Sequence, residues 1–377
     1  MERGRLLFID NLRILLITLV IMVHLSVTYG GVGGWYYRED QPDTISFVVL
    51  TWHNGASQAF FMGFLFMISG YFTPGSYDRK GPWRFLRDRL LRLGIPMLCY
   101  DFVVNPLLAY PLIQVGAQES RGSYFELLAR YYSTFHMGTG PLWFVEALLI
   151  FAILYVLWRA VTTSKREGGQ RRFPTTKQVT LFAFILGTVT FIVRIWLPLG
   201  WAFGPLNLQF PFFPQYICLF VVGILAYRNN WFMLIEVTMG RVWLTIAIIF
   251  IVILFPALFV SGGALNGDVS AFAGGVHWQC FAYALWEQFV GVAMIVGLVV
   301  LFREKLNLQG RLAKAMSASA YTAYIIHAPV VVFLSLAMRD VQLYPLVKFA
   351  LAALIAVPAC FGLGNLIRNL PLARRIL

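Results

Sequence analysis

Long apolar runs alternate with short polar ones along this chain. Ten runs stay mostly apolar over roughly the 20 residues that a helix needs to cross a bilayer. They are 8–28, 45–72, 93–113, 141–160, 179–198, 210–227, 242–260, 272–302, 318–337 and 344–366. The second and eighth are long enough to predict tilt, a kink or a broken turn. Pro96, Pro106, Pro256 and Pro358 fall inside runs and predict kinks that neighbouring helices absorb. The first run is about 20 residues long and lacks a small-residue cleavage site, so it reads as a spanning helix, not a cleaved signal. The pattern therefore predicts an all-α, polytopic membrane protein with about ten transmembrane helices. No inverted repeat of the transporter kind is visible.

Composition agrees with this picture. Hydrophobic residues make up 59% of the 377 positions and charged residues 12%, against about 25% charged in soluble domains. Too little polar material exists to cover a water-soluble globule. Yet Lys and Arg number 30 against 17 Asp and Glu, a net charge of +13. The position of the cations resolves the contrast. Alternate loops, beginning with the N-terminal tail, hold 23 of them, and the loops at 73–92 and 159–178 alone hold 12. The opposite set holds five: Arg38, Arg121, Arg130, Arg194 and Arg339. Arg13 and Lys348 lie inside runs. The positive-inside rule then predicts cytoplasmic termini and an even helix count. Orientation, not a nucleic-acid surface, explains most of the basic excess. The four cysteines are scattered through apolar stretches and read as small core residues.

Ionisable residues inside a bilayer are costly and point to function. In the first run Arg13 and His24 are eleven residues apart, which is about 20° off three full turns. They share one face and lie about 16 Å apart along the axis. That face suits an elongated anionic ligand. It equally suits an arginine that snorkels to headgroups and a histidine bonded to a neighbouring helix. Glu146 enters its helix at a depth close to that of His24, where a carboxylate would hold the imidazole tautomer. A protonated carboxyl is the competing reading. Glu287 is similarly buried, and Arg13 and Arg194 are its candidate partners. His53 and His327 are further intramembrane histidines, His277 begins a helix and His136 lies in an outer loop. No metal-binding spacing is present.

The stretch from Arg84 to Arg92 holds four arginines and Asp88. In a helix Arg89 and Arg92 meet on one face, and Asp88 is spaced to pair with Arg84 or Arg92. Arg89 is left without an acidic neighbour. Guanidinium forks suit phosphate oxygens, while a topology anchor on anionic lipid explains the same charges.

Five segments, in order, resemble the acyltransferase family 3 membrane proteins. "FIDNLRILLITLVIMVH" is similar to the family's first helix, with its Arg, ten residues, His spacing. "FFMGFLFMISGYF", "RDRLLRLGIPML", "GPLWFVEALLIF" and "SAYTAYIIHAPV" resemble its later signatures, and together they span residues 8 to about 330. The resemblance implies one transmembrane acyltransferase domain over 1–377, of the compact branch that lacks an appended extracytoplasmic domain. It implies transfer of an acetyl or succinyl group from cytoplasmic acyl-coenzyme A to a hydroxyl of an extracytoplasmic glycan or related acceptor. Arg13, Arg89 and Arg92 match the family's signature arginines, and His24 matches its histidine. Combined with the 16 Å spacing, this predicts phosphates held by Arg13, Arg89 and Arg92 and a thioester near His24. His24 is the expected general base with Glu146 as its orienter, and a covalent acyl-histidine is the alternative. His53 and His327 are expected at the substrate. The implied partners are acyl-CoA, a carbohydrate or small hydroxylated acceptor, and the bilayer of the inner (cytoplasmic) membrane. No metal or nucleic acid is expected, and homo-oligomerisation is left open. A small-molecule transporter is the competing class. Trp35, Tyr36, Tyr131 and Tyr132 of the outer loops are read as membrane-interface aromatics ahead of sugar-stacking platforms.

Overall fold

A computed structural model describes residues 5–39, 42–116, 122–133, 138–162, 171–264, 269–371 and 373–376. His136 and Arg121 lie outside the described residues. The long helices are α1 (Leu7–Thr28), α2 (Thr44–Gln58), α3 (Phe61–Arg89), α4 (Asn105–Gly116), α5 (Tyr124–Ser133), α6 (Trp143–Val161) and α7 (Thr176–Trp196). They continue with α8 (Phe213–Asn229), α9 (Val237–Ile249), α10 (Phe255–Ser261), α11 (Trp278–Lys305), α12 (Arg311–Ala337) and α13 (Pro345–Arg368). β-Pairing among the described residues is one isolated bridge, Phe203 with Leu208. The chain is an all-α, multi-pass membrane protein.

Nine helical stretches among the described residues are long and apolar enough to cross a membrane. One of them, Thr44–Val115, runs 72 residues and contains two predicted runs, 45–72 and 93–113. A straight helix of that length would reach about 110 Å, more than twice a bilayer. It breaks first at Phe60 and again at Gly81, whose φ of 73° is open to glycine but strained for other residues. Residues 73–89, expected as a loop, are helical apart from that break.

Three of the four predicted proline kinks appear as π-helical turns, at Leu90–Gly94, Tyr100–Val104 and Phe250–Leu254. Each ends two residues before a proline: Pro96, Pro106 or Pro256. Proline offers no amide to the carbonyl four or five residues back, so the helix widens there. Aromatic side chains take the freed carbonyls. Tyr321 donates to the Arg92 carbonyl at 2.7 Å, Tyr132 to that of Phe102 at 2.6 Å, and the Trp52 indole to that of Ile251 at 2.9 Å. Tyr132 is thereby a cap, not only an interface aromatic. Pro358 lies within an unbroken α13.

The tightest packing joins α3 to α8. A Cβ on Gly70 would lie 2.1 Å from the Phe220 carbonyl oxygen, and one on Gly223 2.1 Å from that of Met67. Small residues let membrane helices approach this closely. A second tie crosses the bundle. Arg194 of α7 pairs with Glu287 of α11 at 2.6 Å, both fully buried. Gln288 donates to Glu287, and Gln215 donates both to Gln288 and to the Ala59 carbonyl at the break between α2 and α3. The Glu287 partner is thus Arg194, one of the two expected.

Candidate functional site

The unbroken α1 carries Arg13 and His24 on one face, with an axial separation of about 16 Å. The first turn of α1 is tied to the segment between α11 and α12. Asn307 accepts from the Phe8 amide, and the Asn11 amide donates to the carbonyls of Leu306 and Leu308. Arg13 is not free: it pairs with Asp10 at 2.5 Å, and Asp10 also holds Arg5 at 2.6 Å.

Arg89 closes α3 with its guanidinium over the Phe85 ring at 5.2 Å. Asp88 pairs with Lys80 at 2.5 Å, not with Arg84 or Arg92. A long, flexible Lys80 reaches across the Gly81 break, a contact that helical spacing does not anticipate. The π turn begins at Leu90, so Arg89 and Arg92 are not set by α-helical spacing. They nevertheless lie within electrostatic reach of each other and of Tyr321, whose hydroxyl holds the Arg92 carbonyl. This end carries the basic loops.

At the far end of that face, His24 meets His327 of α12. His24 Nδ1 lies 3.1 Å from His327 Nε2, and the rings stack at 4.9 Å. His327 is wholly buried, and its Nδ1 hydrogen-bonds the Tyr324 carbonyl. A carbonyl only accepts, so Nδ1 of His327 carries the proton. A neutral His327 then accepts at Nε2, and His24 must donate from Nδ1. The Val20 backbone, one turn earlier on α1, hydrogen-bonds the same ring. The network therefore assigns His24 the tautomer with an unprotonated Nε2. His24 lines a cavity of about 1660 Å³.

Trp35 covers a face of His24, stacked at 3.8 Å, and its ring lies 5.9 Å from that of His327. Its indole nitrogen is buried without a hydrogen-bond partner among the described residues. Gly30 and Gly33, at φ 127° and 152°, turn the chain back over the end of α1 and bring Trp35 there. The loop is pinned beyond Trp35. Tyr36 bonds Tyr100 at 3.1 Å and donates to Asn105 at 2.9 Å. Burial pushes the Tyr36 phenol up to about 12, so it remains a donor at neutral pH. Lys348 of α13 pairs with Glu39 at 2.6 Å. Asp43 caps α2 and accepts from Tyr344 at 2.8 Å. The Ser46 hydroxyl leads the contacts that hold the Asp43 carboxyl down at about 2.

The other expected residues lie apart from this centre. Glu146 is buried in the first turn of α6, with its Oε2 left without a hydrogen-bond partner among the described residues. The group that hydrogen-bonds His24 is His327, not Glu146. Depth along two helices matched them, but helix rotation was not fixed by depth. His53 stands edge-on to Phe349 at 5.8 Å and does not line the cavity. Tyr131 donates to the Asp101 carbonyl, so it is a brace and not an interface anchor. Trp35, read from the sequence as an interface aromatic ahead of a stacking platform, stacks on His24 instead; Tyr321 and Tyr324 are not among the site residues expected from the sequence. The glycines after α1 were the available signal for Trp35. Nothing in local spacing marks Tyr321.

A family profile described as an acyltransferase domain matches residues 6–365. Proteins named glucans biosynthesis protein C are similar over most of the chain. Those of Salmonella heidelberg (strain SL476) and Salmonella agona (strain SL483) are 26% identical over 343 residues, covering 86% of this chain and 82% of theirs. That of Salmonella enteritidis PT4 (strain P125109) is 26% identical over 346 residues, with the same coverage. No solved structure matches the chain.

Proposed function

The chain belongs to this acyltransferase domain family, and from that premise we propose that it moves an acetyl or succinyl group from cytoplasmic acyl-coenzyme A to an acceptor hydroxyl on the opposite side. The observation that carries the reading is the unprotonated His24 Nε2 beside a large cavity, fixed by the chain from His24 through His327 to the Tyr324 carbonyl. The names of its relatives favour a carbohydrate hydroxyl as acceptor. The basic loops favour an inner-membrane protein with its arginine cluster in the cytoplasm.

Coenzyme A is a phosphorylated head on a thin arm. Arg89 and Arg92 supply charge-assisted donors for its phosphates. Arg13 contributes the donors that Asp10 leaves open. The arm spans the roughly 16 Å to His24. His24 Nε2 takes the hydroxyl proton as the oxygen attacks the thioester carbonyl. The carbon–sulfur bond then breaks, and the thiolate leaves and recovers a proton as free coenzyme A. The unpaired Trp35 indole N–H is a donor for the developing oxyanion. His24 remains positioned because His327 and Trp35 hold both its edge and its face.

Purified protein in lipid nanodiscs, given radiolabelled acetyl-coenzyme A or succinyl-coenzyme A with a panel of glucans and alkyl glycosides as acceptors, tests this. Free coenzyme A and labelled acceptor are expected in equal amounts. A transporter would release neither, and that result would remove the proposal.

A further inference from the structure

Resting on the acyl-transfer reading, we propose that the acceptor hydroxyl is carried by a membrane lipid whose hydrocarbon chain reaches the site from within the bilayer, between α2 and residues 250–261. The cavity beside His24 is about 1660 Å³, beyond the roughly 300–1,000 Å³ of small-molecule sites. Its polarity is divided. His24, Tyr36, Asn105 and Asn207 line one part; the wall from Val252 to Val260 is apolar, and α2 adds Val48 and Trp52 together with Thr51, Asn54 and Gln58. A water-borne sugar has no use for the apolar wall. A molecule with a hydroxylated head and a hydrocarbon tail matches both.

The apolar part also reaches the outside of the bundle. Val48, Val252 and Val260 line the cavity, yet they are 50%, 55% and 56% exposed. All three belong to stretches long and apolar enough to span a membrane. Ile45 and Ile253, close by in sequence, are 65% and 63% exposed without lining the cavity, so here the cavity wall is also the outer surface of the bundle, and the proposed entry lies between α2 and residues 250–261. Across that gap the Trp52 indole bonds the Ile251 carbonyl, which Pro256 leaves without an amide, and Phe255 packs against Gly55. Each contact rests on one aromatic side chain, so an entering hydrocarbon chain displaces Trp52 or Phe255 and leaves the backbone of both elements in place.

The test uses a decyl glucoside bearing a diazirine on its alkyl chain, photolysed with the purified full-length protein in nanodiscs, with labelled peptides mapped by mass spectrometry. Coenzyme A release is read in parallel with methyl, octyl and decyl glucosides as acceptors. Label is expected to concentrate on 47–55 and 250–260, and to fall at least about fivefold with excess unlabelled decyl glucoside. Val252→Trp, or Val48→Trp should the first not fold, should lower it similarly. Leu354→Trp on the outward face of α13 should not change it. Transfer should favour decyl over methyl glucoside by about tenfold or more. Label spread evenly over outward-facing helices, with release indifferent to chain length, would overturn the lipid path. Label on these walls with no coenzyme A released by any acceptor would instead sink the acyl-transfer reading.

Discussion

Two polar clusters lie buried in this bundle, and they are built on opposite principles. Arg194, Glu287, Gln288 and Gln215 form a chain whose charges cancel and whose last donor caps the broken end of α2, although Arg194 Nε and Nη1 and Glu287 Oε1 have no hydrogen-bond partner among the described residues. His24, His327 and Tyr324 form an open chain. It starts on a backbone carbonyl and ends on a ring nitrogen beside a cavity. The first chain pairs opposite charges and ties helices together, and the second leaves a lone pair on a ring that lines a cavity. Intramembrane charge alone does not identify an active site. What distinguishes the two is whether the network terminates inside protein or at a space that a ligand can fill.

The sharpest way to break this contrast is to remove one partner from the charge-paired cluster. Glu287→Ala leaves Arg194 buried and unpaired, which costs about 3–5 kcal/mol. Thermal unfolding in detergent should shift down strongly, and activity should vanish with the folded protein. Replacing both residues with methionine should restore much of the stability. The open cluster should behave in the reverse manner. His327→Phe removes the acceptor for His24 Nδ1 while filling the space. The rate of transfer should fall about 10- to 100-fold, about 1.4–2.7 kcal/mol, with little loss of thermal stability. If His327 acts by positioning, His327→Gln should recover part of the rate, and the pH profile should move in both variants.

Smaller effects sharpen the same division at the basic end. Arg89→Ala removes donors for phosphate, so the KM for acyl-coenzyme A should rise about tenfold, with kcat little changed. A fall in protein abundance alone would make this loop a topology anchor. Tyr321→Phe frees the Arg92 carbonyl and should raise the same KM by only a few fold. An effect on kcat instead would show that Tyr321 acts elsewhere.

Much of this was legible in the sequence, for identifiable reasons. Apolar run length gave the spans, since a bilayer imposes about 20 residues on each crossing. Eleven residues in one helix fixed the shared face of Arg13 and His24 without any tertiary information. The ordered segments pointed to the family. Contacts between helices were not legible, because helix rotation and tilt come from packing. Depth matching proposed Glu146 for His24, whereas α12 presents His327. Asp88 looked available to arginines on its own helix, but Lys80 reaches it across a glycine break. The "FFMGFLFMISGYF" segment resembled a functional signature, and its Gly70 proves to be where the α8 backbone touches α3. A motif in order identifies a family without saying which of its residues do chemistry.

The central claim is that His24 performs the proton transfer. It is tested most directly by the initial rate of coenzyme A release from His24→Ala, at equal folded protein and saturating acceptor. The account predicts a fall of about 10²- to 10⁴-fold, with unfolding temperature and membrane insertion unchanged. A His24→Ala protein that releases coenzyme A at the wild-type rate would contradict it.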